Sequence, residues 1–108
     1  MTKAELSAPN RWLVARCQHI NFGSITFQVR RGEPDLGRPH SRVRTLKIAG
    51  GANDPRSEVA SDDFELRHEH LALLEQLKKL PDGTRVRVKI THGLPGSSID
   101  LLEDHQAA

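Results

Sequence analysis

Thr84-Arg85-Val86-Arg87-Val88-Lys89-Ile90-Thr91 is the stretch on which the fold class turns. Apolar residues occupy every second position, and Arg85, Arg87 and Lys89 stand between them. Side chains alternate across a strand, so Val86, Val88 and Ile90 make a buried face and the three cations a wet one. A one-residue slip would bury three charges, which pins the register. The same period of two recurs at residues 24–30. There Ile25, Phe27 and Val29 face one way, and Ser24, Thr26, Gln28 and Arg30 the other. Strands that are apolar on one face must be covered on that face, and helices are the available cover.

Working outward, residues 42–49 read as a further strand. Val43, Leu46 and Ile48 break strict alternation, which predicts a bulge or burial on both faces. With residues 24–30 it forms an antiparallel hairpin around a loop at residues 31–41, which holds Gly32, Pro34, Gly37 and Pro39. That loop exceeds the two to five residues usual in hairpins, which makes it a candidate binding element. Residues 50–55 are a breaker cluster. In residues 11–20, Leu13, Cys17 and Ile20 recur at i, i+4 and i+7, with Trp12 and Arg16 flanking the stripe. This predicts a short helix, capped by Asn10 and ended by Gly23 as a left-handed residue. The main helix is predicted over residues 62–80. Asp62 and Glu65 resemble a capping box, Phe64 through Leu80 supply a wide apolar face, and Pro81-Asp82-Gly83 stops it. Residues 92–98 read as a turn and residues 98–102 as a short strand or a helix start. The partner of strand 84–91 is not specified by pattern. The prediction is an α+β, two-layer domain: three to four mostly antiparallel strands covered by one short and one long helix. It spans residues 11–102, between flexible tails at residues 1–10 and 103–108.

With 108 residues and 12.1 kDa the chain has room for one domain. Leu, Ile, Val and Phe number 27, enough for a core and too many for a disordered chain. No apolar run reaches the roughly 20 residues of a membrane span, and none after Met1 reads as a signal peptide. Cys17 is the single cysteine, so no internal disulfide is possible. A soluble cytoplasmic domain is expected. The net charge of +2 hides an asymmetry. Residues 1–56 carry ten Lys/Arg against four Asp/Glu, giving +6, and residues 57–108 carry six against ten, giving −4. Such a split suits a nucleic-acid or acidic partner, or two poles that pair with each other.

A helix, then Phe22-Gly23-Ser24, then an alternating strand through Ile25, Phe27 and Val29, then a turn at Gly32 follow one another within residues 11–32. This order resembles the YezD-like family of small uncharacterised bacterial proteins. The resemblance implies a helix–hairpin unit and a small regulatory or accessory role. That family has no catalytic motif to carry over. After Gly32 the chain departs from it, with the Pro/Gly/Arg loop and an added helix–strand half.

Chemistry-bearing clusters are few. His68 and His70 stand two apart on a predicted helix and point to different faces, and His19, His40, His92 and His105 lie in separate segments. No metal site and no cofactor is expected. Cys17 falls on an apolar stripe, which suits an inert thiol better than a nucleophile. Gly93-Leu94-Pro95-Gly96 matches the spacing of an RNA-clamping GXXG loop, but that loop joins two helices and this one follows a strand, so a plain turn is expected. No pair of carboxylates is placed across a cleft, so no enzyme is expected. The basic residues are the one set with a mechanism attached. Arg30, Arg31, Arg38, Arg42 and Arg44 flank the loop, and Arg85, Arg87 and Lys89 line a strand. Arg outnumbers Lys eleven to five, which favours bidentate phosphate or carboxylate contacts. The expected function is a non-enzymatic regulatory module that binds nucleic-acid backbone through a basic β-hairpin and loop. The alternative is a protein-interaction module, either a homodimer or an inhibitor or adaptor docked on a larger partner. Arg38, Arg42 and Arg44 are expected to outweigh Arg85, Arg87 and Lys89, whose charge cross-strand acids such as Asp100 can offset.

Overall fold

The computed structural model describes residues 1–46, 48, 53–61 and 63–103. A 3-10 turn at Lys3–Glu5 leads into helix α1 (Ala8–Ile20), then strands β1 (Gly23–Arg30), β2 (Glu33–Pro34) and β3 (Ser41–Arg44). A second 3-10 turn (Ser57–Ala60), helix α2 (His68–Leu77), and strands β4 (Arg85–Thr91) and β5 (Leu94–Leu102) complete it. All pairings are antiparallel. The sheet runs β2-β1-β4-β5, and β3 joins the same edge of β1 as β2, nearer the start of that strand. Helices cover one face, which gives the two-layer α+β arrangement.

Alternation dictates the core. Ile25, Phe27 and Val29 of β1 and Val86, Val88 and Ile90 of β4 are buried, with Ile25 opposite Val88 and Phe27 opposite Val86. They share one cluster with Leu13, Val14, Cys17 and Ile20 of α1 and Leu73, Leu74 and Leu77 of α2. The partner that pattern left open for strand 84–91 is double: β4 lies between β1 and β5.

Several expectations are corrected. The long helix is shorter than the first one, at ten residues against thirteen. Residues 64–66 run extended instead, because the N-terminus pairs with them: Lys3 N donates to Phe64 O at 2.9 Å and Leu66 N to Met1 O at 2.9 Å. Asp62 lies outside the described residues. The cap sits at Arg67, whose N–H donates to His70 Nδ1 at 3.2 Å. The first helix begins earlier than expected because Ser7, not Asn10, caps it, with Pro9 in its first turn. Residues 1–10 are therefore no flexible tail. Leu6 joins the core, and Lys3 is 1% exposed. The Lys3 ammonium donates to Gln18 Oε1 (3.0 Å), Glu58 O (3.1 Å) and Val59 O (3.2 Å), and a buried ammonium requires such acceptors. The C-terminal tail expected from residue 103 lies, from residue 104 on, outside the described residues.

The loop at residues 31–41 is shortened by structure too. Arg31 (φ 54°) and Gly32 (φ 74°) make a two-residue turn, so β2 returns on β1 at once. His92 (φ 54°) and Gly93 (φ 74°) do the same between β4 and β5, and the GXXG stretch is turn and strand. The expected strand at 42–49 is limited to Ser41–Arg44. Leu46 and Ile48 are exposed, and Lys47 and Ala49 lie outside the described residues. Asn21 (φ 63°), not Gly23, is the left-handed residue closing α1.

Gly23 has another task. Its φ is 151°, and a Cβ there would stand 1.8 Å from Val43 O. Only glycine lets β3 lie this close to the start of β1. Gly23→Ala is expected to cost about 1–3 kcal/mol, the range for forced backbone strain. A lowered urea midpoint and lost amide protection confined to β3 would show it. An unchanged midpoint would place β3 elsewhere.

Burial pushes the His70 imidazole pKa down, and Arg67 and Lys3 push the same way, against Glu69 and the Gly93 carbonyl. The unfolded chain therefore takes up this proton first as pH falls. His70's contribution is full above about pH 6.5, the ordinary imidazole value, and is lost as pH falls towards the depressed one. Urea midpoints should drop over that window. His70→Gln should flatten the drop.

Candidate nucleic-acid interface

The eight basic residues singled out from sequence do not form one patch. Arg85, Arg87 and Lys89 stand on the open face of the sheet, opposite Gln28, Thr26 and Ser24 respectively. Arg87 is bound there by the Asp100 carboxylate (3.0 and 3.1 Å). Arg30 alternates onto the same face. Arg31 lies in the β1–β2 turn, where its backbone N–H donates to Asp82 Oδ1 at 2.8 Å. Arg38 is exposed and shares a shallow cavity of about 440 Å³ with Arg30, Asp35 and Asp82.

Arg42 and Arg44 go to the opposite side. Arg42 pairs with Ile25 and Arg44 with Gly23, and directly opposed residues point to one face. Ile25 is buried beneath the helices, so both arginines project along the helix side of the sheet edge. The Arg44 guanidinium donates to Asn53 O at 2.6 Å. Asn53 itself is buried, and its Nδ2 donates to Phe22 O (3.0 Å) and Thr45 O (2.8 Å), fixing the exit of β3.

Helix α1 packs beside this edge. Trp12, Arg16 and His19 recur at i, i+4 and i+7 and make one stripe. His40, Arg42 and Arg44 alternate into a second row. The rows meet: Trp12 and His40 stack edge-to-face with ring centroids 4.8 Å apart. Burial lowers the His19 pKa, and Arg16, Arg42 and Arg44 lower it further. Three guanidinium groups, one on α1 and two on β3, thus add to burial in holding the His19 pKa below its ordinary value. Among the described residues, Arg16, Arg42 and Arg44 have no carboxylate partner. Arg16 Nε and His19 Nδ1 are buried with no hydrogen-bond acceptor or donor facing them. A planar guanidinium with free donors matches phosphate oxygens in pairs. Trp12 is half-buried against His40, so the rim suits backbone contact better than base stacking.

Sequence reading missed Arg16, His19 and His40. The signal was present as the helical spacing of Trp12, Arg16 and His19 and the strand spacing of His40, Arg42 and Arg44. What was lacking was the knowledge that α1 and β3 are neighbours. Cys17 is wholly buried and its thiol is pushed up to about 12, so no thiolate nucleophile forms near neutral pH. Among the described residues, no group of three or more His, Cys, Asp or Glu side chains could hold a metal, and no helix is long and apolar enough to cross a membrane.

Fold and site together define a two-layer α+β domain with a cationic rim between a helix and an edge strand. Comparison with family models, curated proteins and solved structures found no match.

Proposed function

We propose that the chain is a small, non-enzymatic regulatory module of the bacterial cytoplasm that binds nucleic-acid backbone through the α1–β3 rim. The observation that carries this reading is that Arg16 of α1 and Arg42 and Arg44 of β3 stand on two elements that pack together, without a carboxylate partner among the described residues. Arg42 and Arg44 belong to the hairpin named from sequence. Arg30, Arg31 and Arg38 stand at its other end, and Arg85, Arg87 and Lys89 form a second, partly neutralised surface. The resemblance of residues 11–32 to the YezD-like family accords with a regulatory role and adds no site residue.

The test is a binding isotherm with a labelled mixed-sequence DNA duplex at two salt concentrations. Phosphate contacts release counterions, so three of them should give log K against log salt a slope of about −3. No binding at low salt, or an affinity indifferent to salt, would reject the reading. A second reading, as a protein-interaction module, rests on the groove of about 530 Å³ between α2 and β5, two elements that also carry the exposed Leu71 and Leu101. Light scattering showing a salt-insensitive dimer that binds no nucleic acid would favour it.

A further inference from the structure

The two edges of the sheet differ in character. On one, β3 carries Arg42 and Arg44 and β2 carries Pro34, and cations and proline keep an edge from pairing with other chains. On the other lies β5, which among the described residues pairs only with β4. Its first half is broken by a bulge, where Gly96, Ser97 and Ser98 stand against Lys89 alone. Its second half, Ile99-Asp100-Leu101-Leu102, is regular and has no lysine, arginine or proline. The Asp100 carboxylate is held by Arg87 at 3.0 and 3.1 Å on the open face of the sheet. The outer backbone groups of this half are thus an unguarded row of donors and acceptors.

The helix side of the same edge is apolar and incompletely covered. Ile99 and Leu101 lie opposite the wholly buried Val88 and Val86, so they point towards the helices. Yet Leu101 is 47% exposed and lies outside the core cluster. The groove of about 530 Å³ takes its walls from one side of α2 and from Gly96 through Ile99 of β5, and it stops short of Leu101. A strand added to β5 would cover that side chain. A second copy supplies one by symmetry: two β5 strands pair antiparallel about a two-fold axis, with both sets of helices on one side of the joined sheet. Centred on Asp100, the pairing sets Leu101 against the second copy's Ile99; centred on Leu101, it sets the two Leu101 side chains together. Either register meets apolar with apolar. Arg87 offsets Asp100 in each copy, whereas two β3 edges would bring uncancelled arginines together.

We infer that β5 is a dimerisation edge: a second copy of this chain adds its own β5 antiparallel to residues 99–102 and covers Leu101. This interface rests on the protein-interaction reading of the α2–β5 groove and names its occupant; the rim, at the far edge of the sheet, stays open in both copies. Sedimentation equilibrium of the full chain without nucleic acid, from micromolar to millimolar concentration at low and high salt, tests it. The expected result is a monomer–dimer equilibrium that barely responds to salt. Leu101→Lys should weaken the dimer roughly tenfold or more, because each dimer loses two apolar contacts and brings two like charges together. Val43→Lys, at an exposed position on the opposite edge, should leave it unchanged. Amide exchange of the parent chain keeps the test open if a variant fails to fold: protection of residues 99–102 should rise with concentration, and that of β3 should not. A monomer at every concentration would overturn the inference. So would a dimer that a folded Leu101→Lys leaves intact, one that Val43→Lys breaks, or protection that rises at β3 instead. A synthetic peptide of alternating Thr and Val separates the inference from the reading beneath it. If the chain stays monomeric and this peptide protects residues 99–102, the groove is a protein-interaction site for a foreign strand, and the second copy is overturned as its occupant. If the chain stays monomeric and the peptide does nothing, both fall.

Discussion

Val88→Asp is expected to leave the chain unfolded at room temperature. Val88 is fully buried on β4, between Ile25 of β1 and Ile99 of β5. Removing the apolar side chain forfeits about 1.5–3 kcal/mol of burial. The new carboxylate would enter the apolar cluster with Ile25 and Ile99 on either side of it, while Arg85, Arg87 and Lys89 stand on the other face and Arg42 and Arg44 lie a strand away at the sheet edge. A buried, unpaired charge costs several kcal/mol more, or the group takes up a proton at similar expense. A domain of this size has a total stability of about 5–15 kcal/mol, so one substitution removes most or all of it. Val43→Asp is the control. Val43 is 57% exposed on edge strand β3, and its substitution should stay within about 0.5 kcal/mol of the parent. Circular dichroism melts of both variants decide the matter. A cooperative Val88→Asp melt within a few degrees of the parent would show that the two faces of the sheet are wrongly assigned.

The second large effect concerns the two basic surfaces. A variant carrying Arg16→Ala, Arg42→Ala and Arg44→Ala should lose duplex affinity steeply at low salt. Its salt slope should flatten by about 3, close to one per lost phosphate contact. The matching variant with Arg85→Ala, Arg87→Ala and Lys89→Ala should lose little. One of its cations is already bound to Asp100, and all three stand on the face opposite the rim. Both variants need an unchanged thermal melt first, because Arg44 also holds the Asn53 carbonyl. If the sheet-face variant loses affinity and the rim variant does not, the binding surface is the open sheet. If neither changes, duplex binding uses neither surface.

Local pattern carried much of the fold. A period of two depends only on residues within one strand, and it identified the buried faces of β1 and β4 residue by residue. The apolar stripe of α1 was legible for the same reason. Helix limits were less so: Ser7-Ala8-Pro9 is a start signal, but Asn10 offers a competing cap, and only the packing of residues 1–6 on the domain favours the earlier one.

The second helix shows where local reading stops. Phe64 and Leu66 continue its apolar face, yet they lie extended, because the backbone of residues 64–66 pairs with Met1 and Lys3 from the far end of the chain. Nothing within residues 62–80 reports that partner. Lys3 is the same case. A lysine near a terminus reads as solvated, and only the arrival of Gln18, Glu58 and Val59 around it makes burial affordable. By itself, then, the sequence determined the α+β class, the alternating core of two strands and the surplus of arginine in the first half of the chain. The tertiary structure alone decided that β4 runs between β1 and β5, and that the arginines divide between two faces. The physical reason is register. Gly23 lets β3 close on β1 with Arg42 opposite Ile25, and that pairing turns Arg42 and Arg44 towards α1, away from Arg85, Arg87 and Lys89.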